Sequence, residues 1–195
     1  METVKIERTT KETSVYAEIS FPGKGDVSVN TTVPFFDHML TALFFHGGFD
    51  AKIKAKGDTE IDDHHLVEDT GIVIGQCLAQ LDKQSRPTMR FGSVSVPMDD
   101  AAASVLTDFC GRPFLVWNVH FPQIYCGRFE MCLLKEFFSA LVSHARINLH
   151  INGLYGENSH HLSEAVFKAV GKAVGQSLTK RTDGVTPSSK GMLES

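Results

Sequence analysis

The chain is predicted to be an α/β protein of the α+β type, internally duplicated, in which two similar halves each set a helix pair on a mixed sheet and pack their helices between the two sheets. Three observations predict it. Strand-like and helix-like segments run twice in the same order. Asp63-His64-His65-Leu66-Val67-Glu68 is matched by Ser159-His160-His161-Leu162-Ser163-Glu164 in both histidines and the glutamate. And 195 residues, 42% apolar and 22% charged, suffice for one buried core and not for several domains.

Four segments alternate or are β-branched and read as strands: Val4 to Arg8, Ser14 to Ser20, Val27 to Val33 and Ala51 to Lys56. Pro22-Gly23-Lys24-Gly25-Asp26 supplies a turn between the second and third. Between Val33 and Ala51 a helix is expected, with Asp37 as N-cap, Met39, Leu40, Leu43 and Phe44 at helical spacing, and Gly47-Gly48 as the stop. A second helix runs from near Asp63 to about Leu81, with Val67, Ile74, Cys77, Leu78 and Leu81 on one broad face. The polar stretch from Asp82 to Pro87 breaks it. The same order returns in strands near Phe91 to Val96, Ala103 to Phe109, Phe114 to Phe121 and Ile147 to Ile151, and helices near Met131 to His144 and Ser159 to Leu178. The halves divide as residues 1–86 and 87–195, the second ending in a glycine- and proline-punctuated tail from Thr182 that reads as a lid. No linker parts them, so one folding unit is expected.

Nineteen Lys and Arg against twenty-three Asp and Glu leave a net charge of -4, which excludes a strongly basic nucleic-acid surface and disorder. Apolar runs fall far short of the ~20 residues that span a bilayer. Met1-Glu2-Thr3-Val4-Lys5 has no apolar signal core, so a cytoplasmic protein without membrane contact is expected. Cys77, Cys110, Cys126 and Cys132 form no C-x-x-C pair and read as reduced thiols.

Nine histidines, with two adjacent pairs, carry the chemistry. In H-H-x-x-E the histidines stand four and three residues before the glutamate, so one opening turn of helix can turn all three to one side. Duplication gives four histidines and two glutamates. His38 and its repeat partner Glu136 add two more, and eight candidate ligands suit two divalent metals. A single histidine would be better read as solvated or hydrogen-bonded, and His120, His144 and His150 are so read, although His144 faces His46 in the repeat. The set lacks thiolates, which admits manganese, iron or zinc. Neither H-E-x-x-H nor H-x-x-E-H occurs, which weakens a zinc peptidase. The motif also runs opposite to the E-x-x-H order of di-iron bundles, and no P-loop supports nucleotide binding.

Seven segments in order resemble the imidazoleglycerol-phosphate dehydratase family, the hydro-lyases of histidine biosynthesis. They are Arg8-Thr9-Thr10-Lys11-Glu12-Thr13, Phe36-Asp37-His38-Met39-Leu40, His46-Gly47-Gly48-Phe49-Asp50, Asp62-Asp63-His64-His65-Leu66-Val67-Glu68-Asp69, Gly111-Arg112-Pro113, Gly156-Glu157-Asn158-Ser159-His160-His161 and Pro187-Ser188-Ser189-Lys190-Gly191. The resemblance covers nearly the whole chain and implies conversion of imidazole-glycerol phosphate to imidazole-acetol phosphate. It implies two manganese ions per site, one held by His38, His65, His160 and Glu164, the other by His64, Glu68, His161 and Glu136. Many members carry histidine where this chain has Glu136. Catalytic positions fall on Glu12, the general acid/base, and on His65 and Glu164. Substrate contacts fall on Glu12, His38, His46, His64 and Glu68, with Arg90, Arg112, Lys168, Ser188, Ser189 and Lys190 toward its phosphate. A homo-oligomer is implied, a 24-mer built from trimers with metals at subunit contacts.

The chemistry agrees with such a site. The hydrogen to be lost is not next to a carbonyl, so the imidazole must serve as electron sink, and two cations on its nitrogens favour an imidazolate. A metal-dependent hydrolase and a non-catalytic metal-binding shell are the rival readings. Incubation with the substrate separates them, because only the dehydratase yields the acetol phosphate.

Overall fold

The computed structural model describes residues 1–85 and 87–183. Along them run β1 (Glu2–Thr9), β2 (Thr13–Phe21), β3 (Val27–Asn30), α1 (Pro34–Gly47), β4 (Asp50–Gly57) and α2 (His64–Ser85). Then come β5 (Phe91–Met98), β6 (Ala101–Asp108), β7 (Phe114–Asn118), β8 (Tyr125–Cys126), β9 (Phe129–Glu130), α3 (Leu133–Ala145), β10 (Asn148–Tyr155) and α4 (Ser159–Leu178). Ser188, Ser189, Lys190 and all but the start of the expected lid lie outside the described residues.

The two sheets have the orders β1-β2-β4-β3 and β5-β6-β10-β7. In each, three strands are antiparallel and the last pairs in parallel, β3 with β4 and β7 with β10. Even the registers correspond: Ser20 lies opposite Asp50, and Asp108 opposite Asn148. His38 precedes Asp50 by the interval at which Glu136 precedes Asn148, so the two ligand candidates occupy equivalent places on α1 and α3.

Alternation decides which face is buried. Val15, Ala17 and Ile19 of β2 point inward, while Lys5, Glu18 and Lys52 form a row across three strands of the other face, with Lys5 Nζ 3.0 Å from Glu18. Helices α1 and α2 cover the first sheet and α3 and α4 the second; α1 then packs on α4 and α2 on α3. The helices thus lie between the sheets, as expected. Phe36 of α1 meets Phe137 of α3 edge-on at 5.2 Å, and Phe137 stacks on Phe167 of α4 at 5.7 Å, so one aromatic cluster ties three helices together.

Glycine sets the distance between the paired helices. A Cβ at Gly171 of α4 would fall 2.0 Å from the Leu43 carbonyl oxygen of α1, and one at Gly75 of α2 would fall 2.5 Å from the Leu141 carbonyl oxygen of α3. Gly75 and Gly171 each stand seven residues after the motif glutamate, so the same device recurs in both halves.

Several expectations need correction. β3 stops at Asn30 rather than Val33, and Asp37 does not cap α1. Pro34 opens the helix after Val33, its fixed φ suiting the first helical position, and Asp37 in the first turn instead accepts from the Thr31 N–H and hydroxyl, both at 2.6 Å. α2 continues to Ser85, with Asp82 buried and near the Thr88 hydroxyl at 3.4 Å. β7 ends at Asn118, and the small β8–β9 hairpin that follows has no counterpart among the described residues of the first half.

Gly171→Ala is expected to lower the thermal unfolding midpoint. The added methyl meets backbone rather than a flexible side chain, and overpacking of ~1–3 kcal/mol exceeds the ~1 kcal/mol that alanine gains as a helix former. Calorimetry of the variant beside the parent protein measures the difference.

Candidate active site

The close crossing of α1 and α4 brings His38 against the first turn of α4. Asn158 caps that helix, its side chain accepting from the His160 N–H at 2.9 Å, and Asp62 accepts from the His64 N–H at 2.7 Å. With their first turns fixed, the histidine and glutamate four residues apart meet on one face: His160 Nε2 lies 3.1 Å from Glu164 Oε1, and His64 Nε2 lies 3.4 Å from Glu68 Oε2. His38 Nε2 completes the first set at 3.2 Å from the same Glu164 oxygen. One donor atom from each of His38, His160 and Glu164 falls within 4.8 Å of the others. Donors on adjacent corners of an octahedron with bonds of ~2.1 Å stand about 3 Å apart, so this set fits a divalent cation.

The other histidine of each pair turns away, contrary to the expectation of three ligands on one side. The rings of His64 and His65 stand at 90°, and those of His160 and His161 at 87°. Carboxylates from outside the motif cause this. Asp58 holds His65 Nδ1 at 3.1 and 3.2 Å from its two oxygens, and Asp100 holds His161 Nδ1. Both imidazoles are raised above their ordinary value, chiefly by these hydrogen bonds. In the neutral ring, a hydrogen bond at Nδ1 keeps the proton there and leaves Nε2 as the free lone pair, the arrangement in which histidine binds metal. Sequence reasoning missed both aspartates. His161 is 61 residues from Asp100, and only strand pairing brings them together.

Burial opposes ionisation of Glu164, but the Lys168 ammonium, 2.6 Å from Oε2, and His38 hold its carboxyl at about 2. Lys168 also touches Met98 Sδ at 3.1 Å. Partial burial, then the charges of Lys168 and Lys172, push His46 below its ordinary value. Lys168 and Lys172 thus set a positive field at His46, which the Glu164 carboxylate opposes.

The remaining candidates are dispersed. Glu12 sits exposed in the β1–β2 turn, where its charge acts on His65. Glu136 lines a cavity of about 320 Å³ with Trp117, Phe121, Cys132 and Lys135, and among the described residues it does not close with His64 and Glu68 into a second three-ligand cluster. Arg90 points its Nε and Nη2 at Asp108, at 2.6 and 3.1 Å, and its backbone N–H bonds to Ser177 near the far end of α4. At 1.5 Å per residue that is about 20 Å along the helix from Glu164. Arg112 lies exposed in the loop after β6. His144 bonds within its own helix, Nδ1 to the Ala140 carbonyl at 2.9 Å, in keeping with a structural role.

Asp100→Asn is expected to lower the His161 pKa, which imidazole NMR of metal-free protein reads directly. Asp100 is held at about 2 by His161 and by the Glu157 and Asn158 N–H groups. The contribution of this pair to stability is full above the ordinary aspartate value of 3.8 and below the ordinary histidine value of 6.5. It fades as pH falls through about 2 or rises through the elevated imidazole value.

Comparison with known proteins bears on the same residues. The family model described as imidazoleglycerol-phosphate dehydratase matches residues 31–174. The enzymes of that name from Pelobacter propionicus and Halorhodospira halophila are 47% and 45% identical over 193 residues, 98% of each chain. The crystal structure of the Staphylococcus aureus enzyme aligns with a TM-score of 0.84 at 39% identity, covering 92% of this chain and 100% of its own. That from Pyrococcus furiosus aligns with a TM-score of 0.84 at 37% identity, covering 96% and 100%.

Proposed function

The chain belongs to the imidazoleglycerol-phosphate dehydratase family and is a hydro-lyase of histidine biosynthesis, and we propose that it works with two manganese ions per active site in a cytoplasmic 24-mer built from trimers. The observation that carries the metal reading is the convergence of His38, His160 and Glu164. Their mixed imidazole and carboxylate donors suit manganese, and no thiolate is present to favour a softer ion. Bound there, divalent cations supply the positive charge that favours an imidazolate form of the substrate.

Each protein group then has a task. Asp58 and Asp100 keep His65 and His161 in the tautomer that offers Nε2. Lys168 keeps the Glu164 carboxylate ionised and, with His46, faces the anionic end of the substrate. Glu12 moves a proton on the glycerol side chain.

What one copy lacks supports assembly. His65 stands outside the His38–His160–Glu164 cluster, and Arg90, just before β5, lies beside the far end of α4, so a complete site draws these groups from neighbouring copies. Metal binding free energy then becomes assembly free energy. No described helix is long and apolar enough to cross a membrane, and the cysteines are free thiols, which supports the cytoplasmic placement.

The purified protein is expected to hold two manganese ions per chain and to dehydrate the substrate. Chelation should shrink the particle in sedimentation; an unchanged profile with the metal shown to be gone overturns the shared site. His65→Ala should lose metal and activity together, and Glu136→Gln reports whether that carboxylate is a ligand. Glu12→Gln should keep metal and assembly while kcat falls ~10²–10⁴-fold, the range of general acid–base catalysis. Free phosphate as the product would favour a hydrolase, and metal without turnover a storage shell.

A further inference from the structure

The two halves differ at a place that neither the sheets nor the metal ligands require. Arg8, opposite Val15, has as its register equivalent Val96, opposite Ala103, and Thr13 at the start of β2 corresponds to Ala101 at the start of β6. Asp69 follows Glu68 as Ala165 follows Glu164. In the first half these residues are joined. Arg8 Nη2 lies 3.2 Å from Asp69 Oδ1, and the Thr13 hydroxyl donates to Asp69 Oδ2. In the second half valine and two alanines fill the same positions.

The architecture therefore accepts an apolar set here. The polar set carries a cost: Asp69 and Thr13 are buried, and Arg8 Nε is buried without a hydrogen-bond partner among the described residues. What it holds is the β1–β2 turn. The Thr10 hydroxyl accepts from the Glu12 and Thr13 N–H groups at 3.1 and 3.0 Å and lies 3.3 Å from the Thr13 hydroxyl, which is itself tied to Asp69. From the other side, the Asp58 N–H donates to the Glu12 carbonyl at 3.2 Å, and the Asp58 carboxylate grips His65. Glu12 is thus keyed to α2 twice, once through Asp69 and once through Asp58.

The second half shows what this changes. Asp100, immediately before β6, occupies the place that Glu12 occupies immediately before β2. Asp100 is engaged as the anchor of His161. In the first half Asp58 anchors the histidine instead, and the Glu12 carboxylate, whose charge acts on His65, makes no hydrogen bond or ion pair among the described residues.

We propose that Arg8, Thr13 and Asp69 form a positioning network that fixes the β1–β2 turn on α2, so that Glu12 presents its carboxylate to the reacting side chain of the substrate. The network touches no substrate and acts through Glu12, so the proposal rests on Glu12 being the general acid/base.

A double-mutant cycle tests it. Asp69→Ala and Thr13→Ala are expected to lower kcat ~10–100-fold, the scale of a misplacement of about 1 Å, with KM, manganese content and particle size unchanged. Thr13→Ser, which keeps the hydroxyl, should restore most of the rate. In the Glu12→Gln background neither substitution should cost anything further. The triple variant Arg8→Val, Thr13→Ala, Asp69→Ala, which copies the second half, should fold, assemble and bind metal. Parental kcat in Asp69→Ala overturns the proposal, as does an equal further loss on top of Glu12→Gln. Loss of metal or assembly in the triple variant also overturns it and makes the network architectural. Parental turnover in Glu12→Gln alone would instead remove Glu12 from catalysis, and the proposal with it.

Discussion

The backbone contact between α1 and α4 is the constraint on which the site depends. Helices packed through ordinary side chains lie 8–10 Å apart. Here a Cβ at Gly171 would strike the Leu43 carbonyl, so the axes come closer than most side chains allow. That approach lets His38, on one helix, share a carboxylate oxygen with His160 of another at 3.2 and 3.1 Å. Separation by a methyl group would draw His38 away from the His160–Glu164 pair of α4. The packing glycines and the ligands are in this sense one feature, seven residues apart on α4.

Duplication repeats the crossing and leaves each copy with two partial constellations. The halves share sheet order, register, capped motif turns and a glycine contact, so each begins from the same geometry. They diverge in the carboxylates around it. His161 is gripped from the hairpin turn between its first two strands, and His65 from the residue after β4. The outcome at Nδ1 is the same in both: a carboxylate from outside the motif holds it.

Much of this was legible in the sequence because it is local. The period of three to four residues marked the helices, Gly47-Gly48 marked the end of α1, and matched H-H-x-x-E turns revealed both the duplication and the pairing of His64 with Glu68 and His160 with Glu164. What escaped depends on contacts made outside the motif, seven residues away for His65 and 61 for His161. The motif spacing alone could not say which histidine turns outward, because that choice is made by Asp58 and Asp100. The β8–β9 hairpin was invisible for another reason: strands of two residues have no periodicity to detect. Asp37 misled because a carboxylate near a helix start suggests a cap, while Pro34 had already taken the first helical position.

The aspartate anchors also decide when the cost of ordering is met. An exposed imidazole samples several rotamers and two tautomers, and fixing both on binding would weaken affinity for any ligand. Here the hydrogen bonds to Asp58 and Asp100 form as the chain folds. The same logic applies to Glu164, whose charge is kept in a buried position by Lys168 rather than by an incoming ion. The donors are thus already oriented, and the helix that carries Glu164 also carries Lys168 one turn on. Binding geometry and the electrostatics that support it descend from a single stretch of α4, which is why the duplicated motif is so informative and why its surroundings, not its spacing, distinguish the two halves.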